Sequence, residues 1–524
     1  MKYRSAGKSV REKTLFVFMI ASLTAPAIGV TVSTTRELID AVGNSAPGDT
    51  IYIEDGDYRL SSSLKPGAGV TIYGAGVDRT IISGAPSFTP ATDGLPGSEN
   101  PEAYLFSFGK NPKKTNVTIR DMTLSGPALH GAIYADDADN MELCNLKIDT
   151  FLWSAVRTFR MHDFKVHDNV FINAGGKFKH TGGSLYIDWT NDSEFWNNHI
   201  YRDNRATANV YGFKGNGGNY MRIHHNTIEV NFAIEFPHKN NWGNEIDHNY
   251  LDGVVSIPKF GGGAIRDTTD TTSFYIHHNW FTRSYSLEWA RNCVVIEYNV
   301  FDIDVDDYKG NLIGNFGTEP APGFTHFRNN LIRNPGRGVL WTRGVYNHFY
   351  FYNNHVIADQ TNMSSGFFGM NGESDFSTIA IRDNIIENTA ANPRPLVRND
   401  QSYSASIENN TLENITDTDH YENPNTGAQR GPVEPLSFTV GVGNRYRVEG
   451  WDLSKGETAR NPALAPRREA KPEANVPQSV ALYSLRGEKL PVLSRARLPR
   501  TRPGGVCILV DSRSTVLIAE PVSH

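Results

Sequence analysis

Six stretches of the chain carry residues able to hold anions and move protons: Ser154-Ala-Val-Arg157-Thr-Phe-Arg160, Ser184-Leu-Tyr186-Ile-Asp188-Trp189, Asn209-Val-Tyr211-Gly-Phe-Lys214, Phe232-Ala-Ile-Glu235-Phe-Pro-His238-Lys239, Val254-Val-Ser256-Ile-Pro-Lys259 and Ser286-Leu-Glu288-Trp-Ala-Arg291. Each reads as a short strand, and side chains alternate between faces along a strand. With these strands aligned, one outward column is expected to run Arg157, Tyr186, Tyr211, Glu235, Ser256, Glu288, and the turn beyond it Arg160, Trp189, Lys214, His238, Lys259, Arg291. Strands paired in a sheet lie about 4.8 Å apart, so these residues are expected to line one polar, aromatic and basic groove. Unpaired charges are not buried, so a row of cations this dense is expected to face solvent and bind an anion, with an acidic polymer as the natural ligand. Any one of Lys214, Lys239 and Lys259 is more often a solvated lysine than a catalytic one. Three on successive strands beside two tyrosines, with Pro237 and Pro258 fixing two of the turns, strengthen the case together.

The elements that must position this groove are announced by a repeat. From about Asn116 to Leu412 an apolar residue is followed three positions later by asparagine: Val166/Asn169, Phe195/Asn198, Ile223/Asn226, Ile246/Asn249, Ile276/Asn279, Ile296/Asn299, Phe327/Asn330, Phe351/Asn354, Ile381/Asn384 and Ile407/Asn410. The intervals of 20 to 31 residues are those of solenoid coils. Each unit carries strands and Gly/Asn/Asp turns where a helical repeat would carry amphipathic helices. The expected fold is all-β, a right-handed parallel β-helix whose coils share one core and stack their asparagines at a turn. His224, His225, His248, His277 and His278 fall in or beside the asparagine motif and read as turn-layer residues; a metal site there would need a carboxylate or a third ligand converging on them. Upstream, Thr34 followed by helical apolar spacing predicts a capping helix near Thr35 to Val42, and Pro47-Gly-Asp-Thr-Ile-Tyr-Ile then switches to period two.

The wider composition agrees with many short strands joined by tight turns, with 47 Gly, 27 Phe and 22 Tyr in 524 residues. A net charge of -6 is ordinary for a soluble protein and names no partner. Three cysteines, Cys144, Cys293 and Cys507, form no C-x-x-C and leave an odd number, so neither a disulfide framework nor a cysteine metal site is indicated. Basic residues from Lys2 to Lys13, the apolar run Leu15 to Leu23 and the small residues after it read as a secretory signal peptide over 1–29. No later run is long and apolar enough to span a membrane. The β-helix is expected over 30–416, final coils and a linker over 417–475, and a small C-terminal β module over 476–524 that faintly resembles type IX sorting modules. The protein is expected at the cell surface or secreted, as a monomer, with an acidic polysaccharide as partner and no nucleic acid.

The cap Ala46-Pro-Gly-Asp-Thr-Ile-Tyr-Ile-Glu-Asp-Gly-Asp-Tyr58, followed by the asparagine-laddered coils, resembles the β-helical polysaccharide lyases, in particular family 6 (alginate lyases and chondroitinase B) and the alginate lyases of family 31, over roughly Val32 to Thr416. The family 6 pattern is a Glu-x-Glu strand, then a lysine base, an arginine acid one coil later, and a Ca²⁺ ion held by the glutamates and an asparagine. Glu235 matches the second glutamate, so the resemblance implies a metal ligand there; Lys239 matches the base, Ala233 stands for the first glutamate and Lys259 lies near the arginine. The implied reaction removes the C5 proton of a uronate and expels the O4 leaving group, with the sugar carboxylate neutralised by Ca²⁺ or by His238, Arg291 and Lys214. Lys239 or Lys259 is then the base and Tyr186 or Tyr211 the proton donor, and the order of lysine and tyrosine stays open. Arg160, Asp188, Trp189 and Glu288 complete the expected substrate-binding set. The runner-up is a glycoside hydrolase pairing carboxylates from Asp188, Glu235 and Glu288; a non-catalytic polysaccharide-binding or adhesion β-helix is the third reading.

Overall fold

A computed structural model describes residues 29–88, 100–109, 111–175, 182–203, 210–235, 242–256, 274–283, 285–286, 294–303, 312–314, 324–336, 338–342, 348–358, 366–370, 378–399 and 406–416, together with four short strands between 481 and 519. The expected signal peptide and linker lie outside these residues. At the N-terminal end Thr34 caps the helix Thr35–Gly43: its hydroxyl accepts from the Glu37 N–H while the Glu37 carboxylate accepts from the Thr34 N–H. Leu38 and Val42, four residues apart, are buried against the first coil.

Each coil contributes one strand to a short sheet and two to a long sheet that turns a corner at the asparagine. One coil runs Val156–Phe159, His162–His167 and Val170–Ala174; the next begins again at Gly183–Asp188. Corresponding strands of successive coils pair in parallel. Twelve strands stack in the short sheet, from Tyr104–Phe108 to Val397–Asn399. The fold is therefore all-β, a parallel β-helix. Its core is built by the apolar member of the repeat: Val166, Phe195, Ile223, Ile246, Ile276, Ile296, Phe327, Phe351, Ile381 and Ile407 lie on top of one another, all buried. Toward the C-terminus the four strands Ala481–Tyr483, Lys489–Leu490, Cys507–Val510 and Val516–Ala519 form a separate antiparallel sheet.

The asparagine column supplies the corner. From Asn169 to Asn410 each side-chain amide donates to the next asparagine's Oδ1 at 2.9–3.1 Å. That Oδ1 also accepts the preceding asparagine's backbone N–H, as in Asn226 to Asn249 at 3.0 Å, and the second amide hydrogen goes to a backbone carbonyl, as in Asn249 to Ile223 at 2.8 Å. The residue before each asparagine takes a left-handed conformation (φ 56° at Asp168, 51° at Asn197, 55° at His225) that turns the chain. Asn, Asp and His tolerate that region better than other side chains. Asn249→Ala leaves the Asn226 N–H and the Ile223 carbonyl without the partners that Asn249 supplies in a dry interior, and at ~1–3 kcal/mol for each such group the expected loss is ~2–6 kcal/mol. Denaturant unfolding should show it, whereas Asn116→Ala, outside the buried column, should lose less.

Candidate functional site

The short sheet carries the groove, but its register differs from the one expected from the sequence. Arg157 does pair with Tyr186. Tyr186, however, is opposite Lys214, which is followed by Ala233, Ser256 and Ser286. Lys214 thus belongs to the strand and not to the turn beyond it. Tyr211 lies three residues upstream, opposite Gly183, in the same register that sets Tyr186 opposite Lys214; the one-residue shift between Tyr211 and Phe213 falls in the pairing with the following strand. Glu235 belongs to a second outward column, Asp136, Phe159, Asp188, Asn216, Glu235. The first column therefore reads Tyr134, Arg157, Tyr186, Lys214, Ala233, Ser256.

The cations of this column are also buried, contrary to the expectation that they face solvent. Arg157 is 2% exposed and Lys214 6%. The Arg157 guanidinium lies 3.6 Å from the Phe159 ring centroid and 3.8 Å from that of Tyr186, and its Nη2 donates to Asp188 Oδ2 at 2.5 Å. Lys214 Nζ sits over the Tyr186 and Tyr211 rings, 4.9 and 5.5 Å from their centroids. A flat cation between ring faces and against a carboxylate loses little on leaving water, so pairing and quadrupole attraction replace solvent. Burial pushes the Asp188 carboxyl above its ordinary value, opposed by Arg157, Asn216 and Lys214. Tyr134, Tyr104, Trp153 and Phe159 form the apolar wall against which Tyr186 packs.

Half-buried Tyr186 is where this stack meets solvent: its hydroxyl accepts from Asn216 Nδ2 at 3.1 Å. Next to it, Trp189 is 38% exposed, and exposed Arg160 pairs with Asp136. The structure thus brings together Tyr186, Lys214, Asp188, Trp189 and Arg160, with Tyr211 on the far side of Lys214. Lys239, Lys259, His238, Arg291 and Glu288 lie outside the described residues, and of Glu235 only the backbone is described. The register sets Ala233, which stands for the first glutamate of the expected Ca²⁺ site, between Lys214 and Ser256. Sequence reasoning missed Asn216, Tyr134 and the Arg157–Asp188 pair; the signal available was Asp188 two residues beyond Tyr186, on the same face of its strand.

No family model matches the chain, and no curated protein matches it, so the resemblance to lyase families 6 and 31 stays an expectation from sequence. Among solved structures it is similar to an alginate lyase from Paenibacillus sp. str. FPU-7, with 13% identity over 75% of this chain and 98% of that one and a TM-score of 0.31. It is also similar to the A-module of the mannuronan C-5 epimerase AlgE4 of Azotobacter vinelandii (14% identity, 78% and 98% covered, TM-score 0.34). A third is the Streptococcus pneumoniae surface protein and adhesin PfbA (9% identity, 76% and 97% covered, TM-score 0.36). Similarity at this level says nothing of what this chain acts on.

Asp188→Asn should test the buried pair. Breaking such a pair strands the other charge and costs ~3–5 kcal/mol, whereas Arg160→Gln, at an exposed pair, should cost less than ~1 kcal/mol. Chemical denaturation of both variants would show the contrast, and equal losses would contradict it.

Proposed function

We propose that the chain is an exported polysaccharide lyase that cleaves an acidic, uronate-containing polysaccharide such as alginate by β-elimination. The observation that carries the reading is Tyr186: a half-buried phenol oxygen held by Asn216, with its ring between the Arg157 guanidinium and the Lys214 ammonium. β-Elimination needs a group that moves a proton at C5 or O4 and cations that offset charge growing on the sugar carboxylate. In this reading Tyr186 transfers a proton, Lys214 faces the sugar carboxylate, and Trp189 and Arg160 carry flanking sugars. Lys239 or Lys259 supplies the complementary proton transfer, and no step is routed through a metal. Export is supported by the basic and then apolar N-terminal sequence.

Asp188 bears on the hydrolase reading. It is buried and bound to Arg157, which withdraws it from the pair of substrate-facing carboxylates that hydrolysis requires. Incubation with alginate, chondroitin, pectate and neutral glycans, following ultraviolet absorbance and reducing ends together, distinguishes the classes. Both rise for a lyase, reducing ends alone for a hydrolase, neither for a binder. On the responsive polymer, Tyr186→Phe should lower kcat by about 10² to 10⁴ with KM nearly kept. A variant with wild-type kcat would remove Tyr186 from the mechanism, and Lys239→Ala and Lys259→Ala then show which lysine carries it.

A further inference from the structure

On the long sheet, away from the groove, a second tyrosine stands between two cations. On three successive rungs Arg328 is opposite Tyr352 and Tyr352 is opposite Arg382. The two guanidinium carbons lie 5.8 and 5.3 Å from the centroid of the Tyr352 ring. Two residues back along the same strands, and so on the same face, His326 and Tyr350 stack at 4.8 Å and 14°, and the next rung places the small Ala380 opposite Tyr350.

The two guanidiniums are held differently. Arg328 donates from Nε to the buried Glu297 carboxylate at 2.5 Å and from Nη1 to the Tyr352 hydroxyl at 2.8 Å, while the Tyr275 hydroxyl donates to the other Glu297 oxygen at 2.6 Å. The Tyr352 oxygen also lies 3.3 Å from His326 Nδ1. Engaged on two sides, this hydroxyl fixes its ring as a wall and is not available to move a substrate proton. Arg382 is exposed, and among the described residues no ion pair engages it, although Asp383 and Glu408 are its neighbours. Arg120, Arg222 and Arg328 on the same sheet each pair with a carboxylate. A guanidinium already resting on a ring loses little freedom when it binds, and its planar fork takes a carboxylate through two parallel hydrogen bonds.

We propose that Arg382, with Tyr352 and Tyr350 beside it, is a second, non-catalytic binding site for a uronate residue, holding a distant stretch of the polymer that occupies the groove; the class of sugar rests on the function proposed above. Arg382 takes the sugar carboxylate, and the partly exposed edges of the two tyrosines take the apolar face of the ring. The coil of Arg382 begins at Phe368–Met370, six rungs beyond Lys214 in the short sheet, which is roughly 29 Å along the axis at about 4.8 Å per rung. A trisaccharide in the groove does not span that distance, whereas a polymer does. The second contact therefore adds to the affinity for long chains alone, since a linked site binds at high effective concentration.

Affinity electrophoresis of the intact protein through gels containing alginate, pectate, chondroitin or a neutral glycan tests the proposal. Arg382→Gln should be retarded less than wild type by the uronate polymer that binds, with the dissociation constant raised about tenfold, and should keep wild-type kcat and KM on a trisaccharide of that polymer. Arg59→Gln removes the charge of another exposed arginine and should change neither. Circular dichroism checks that both variants fold. Unchanged retardation of Arg382→Gln, an equal loss in Arg59→Gln, a matching loss of kcat/KM on the trisaccharide, or a wild type retarded by no uronate polymer would overturn the site. Cleavage of a polymer whose retardation Arg382→Gln leaves unchanged removes this site alone. A polymer that is bound through Arg382 but never cleaved keeps the site and removes the lyase.

Discussion

A coil of this solenoid cannot satisfy its own corner. The sharp turn at each asparagine exposes a backbone N–H, a carbonyl and a side-chain amide to the dry interior, and only the coil above and the coil below can pair them. Asn226 shows the economy of the solution: its N–H and its amide both reach Asn249 Oδ1, and the same amide reaches the Phe195 carbonyl one coil earlier. An unmade bond of this kind costs more than a made one gains, so stacking is compulsory as well as favourable. Because the column runs unbroken from Asn169 to Asn410, it fixes the rise of every coil, and with it the register of the strands leaving the corner.

The short sheet inherits that register and converts it into chemistry. Once coils are locked in step, Arg157, Tyr186 and Lys214 must lie on one line, a strand spacing apart. Two cations that close would repel. The interleaved rings of Phe159, Tyr186 and Tyr211 and the Asp188 carboxylate offset that repulsion and allow the pair to be buried. A tyrosine between two cations at the edge of an aromatic wall is an arrangement a random solvated face does not produce. On the opposite side of the coil the same locking stacks His225, His248 and His278, so one constraint places both clusters.

The fold was legible in the sequence because its signal repeats: the apolar residue and the asparagine three positions later recur coil after coil from Val166 to Asn410, and the core and ladder follow directly. The capping helix was legible from Thr34 and the apolar spacing behind it. The column containing Tyr186 was only partly legible. Coil lengths vary outside the asparagine motif, so no periodicity announces that Tyr186 faces Lys214 while Tyr211 falls opposite Gly183. Burial of Arg157 was not legible because it depends on Asp188, a residue of the next coil. The convergence of Asp247 on the histidines escaped for the same reason: Arg222 and His248, which hold it, belong to two different coils.

The most direct test of the account is a crystal structure of Tyr186→Phe with a uronate oligosaccharide bound. The account predicts sugar rings running along the short sheet past Trp189, one carboxylate within hydrogen-bond reach of Lys214, and the C5 hydrogen or the O4 oxygen facing position 186. An oligosaccharide bound elsewhere on the solenoid, or one lying in the groove with its carboxylates turned away from Lys214, would contradict it.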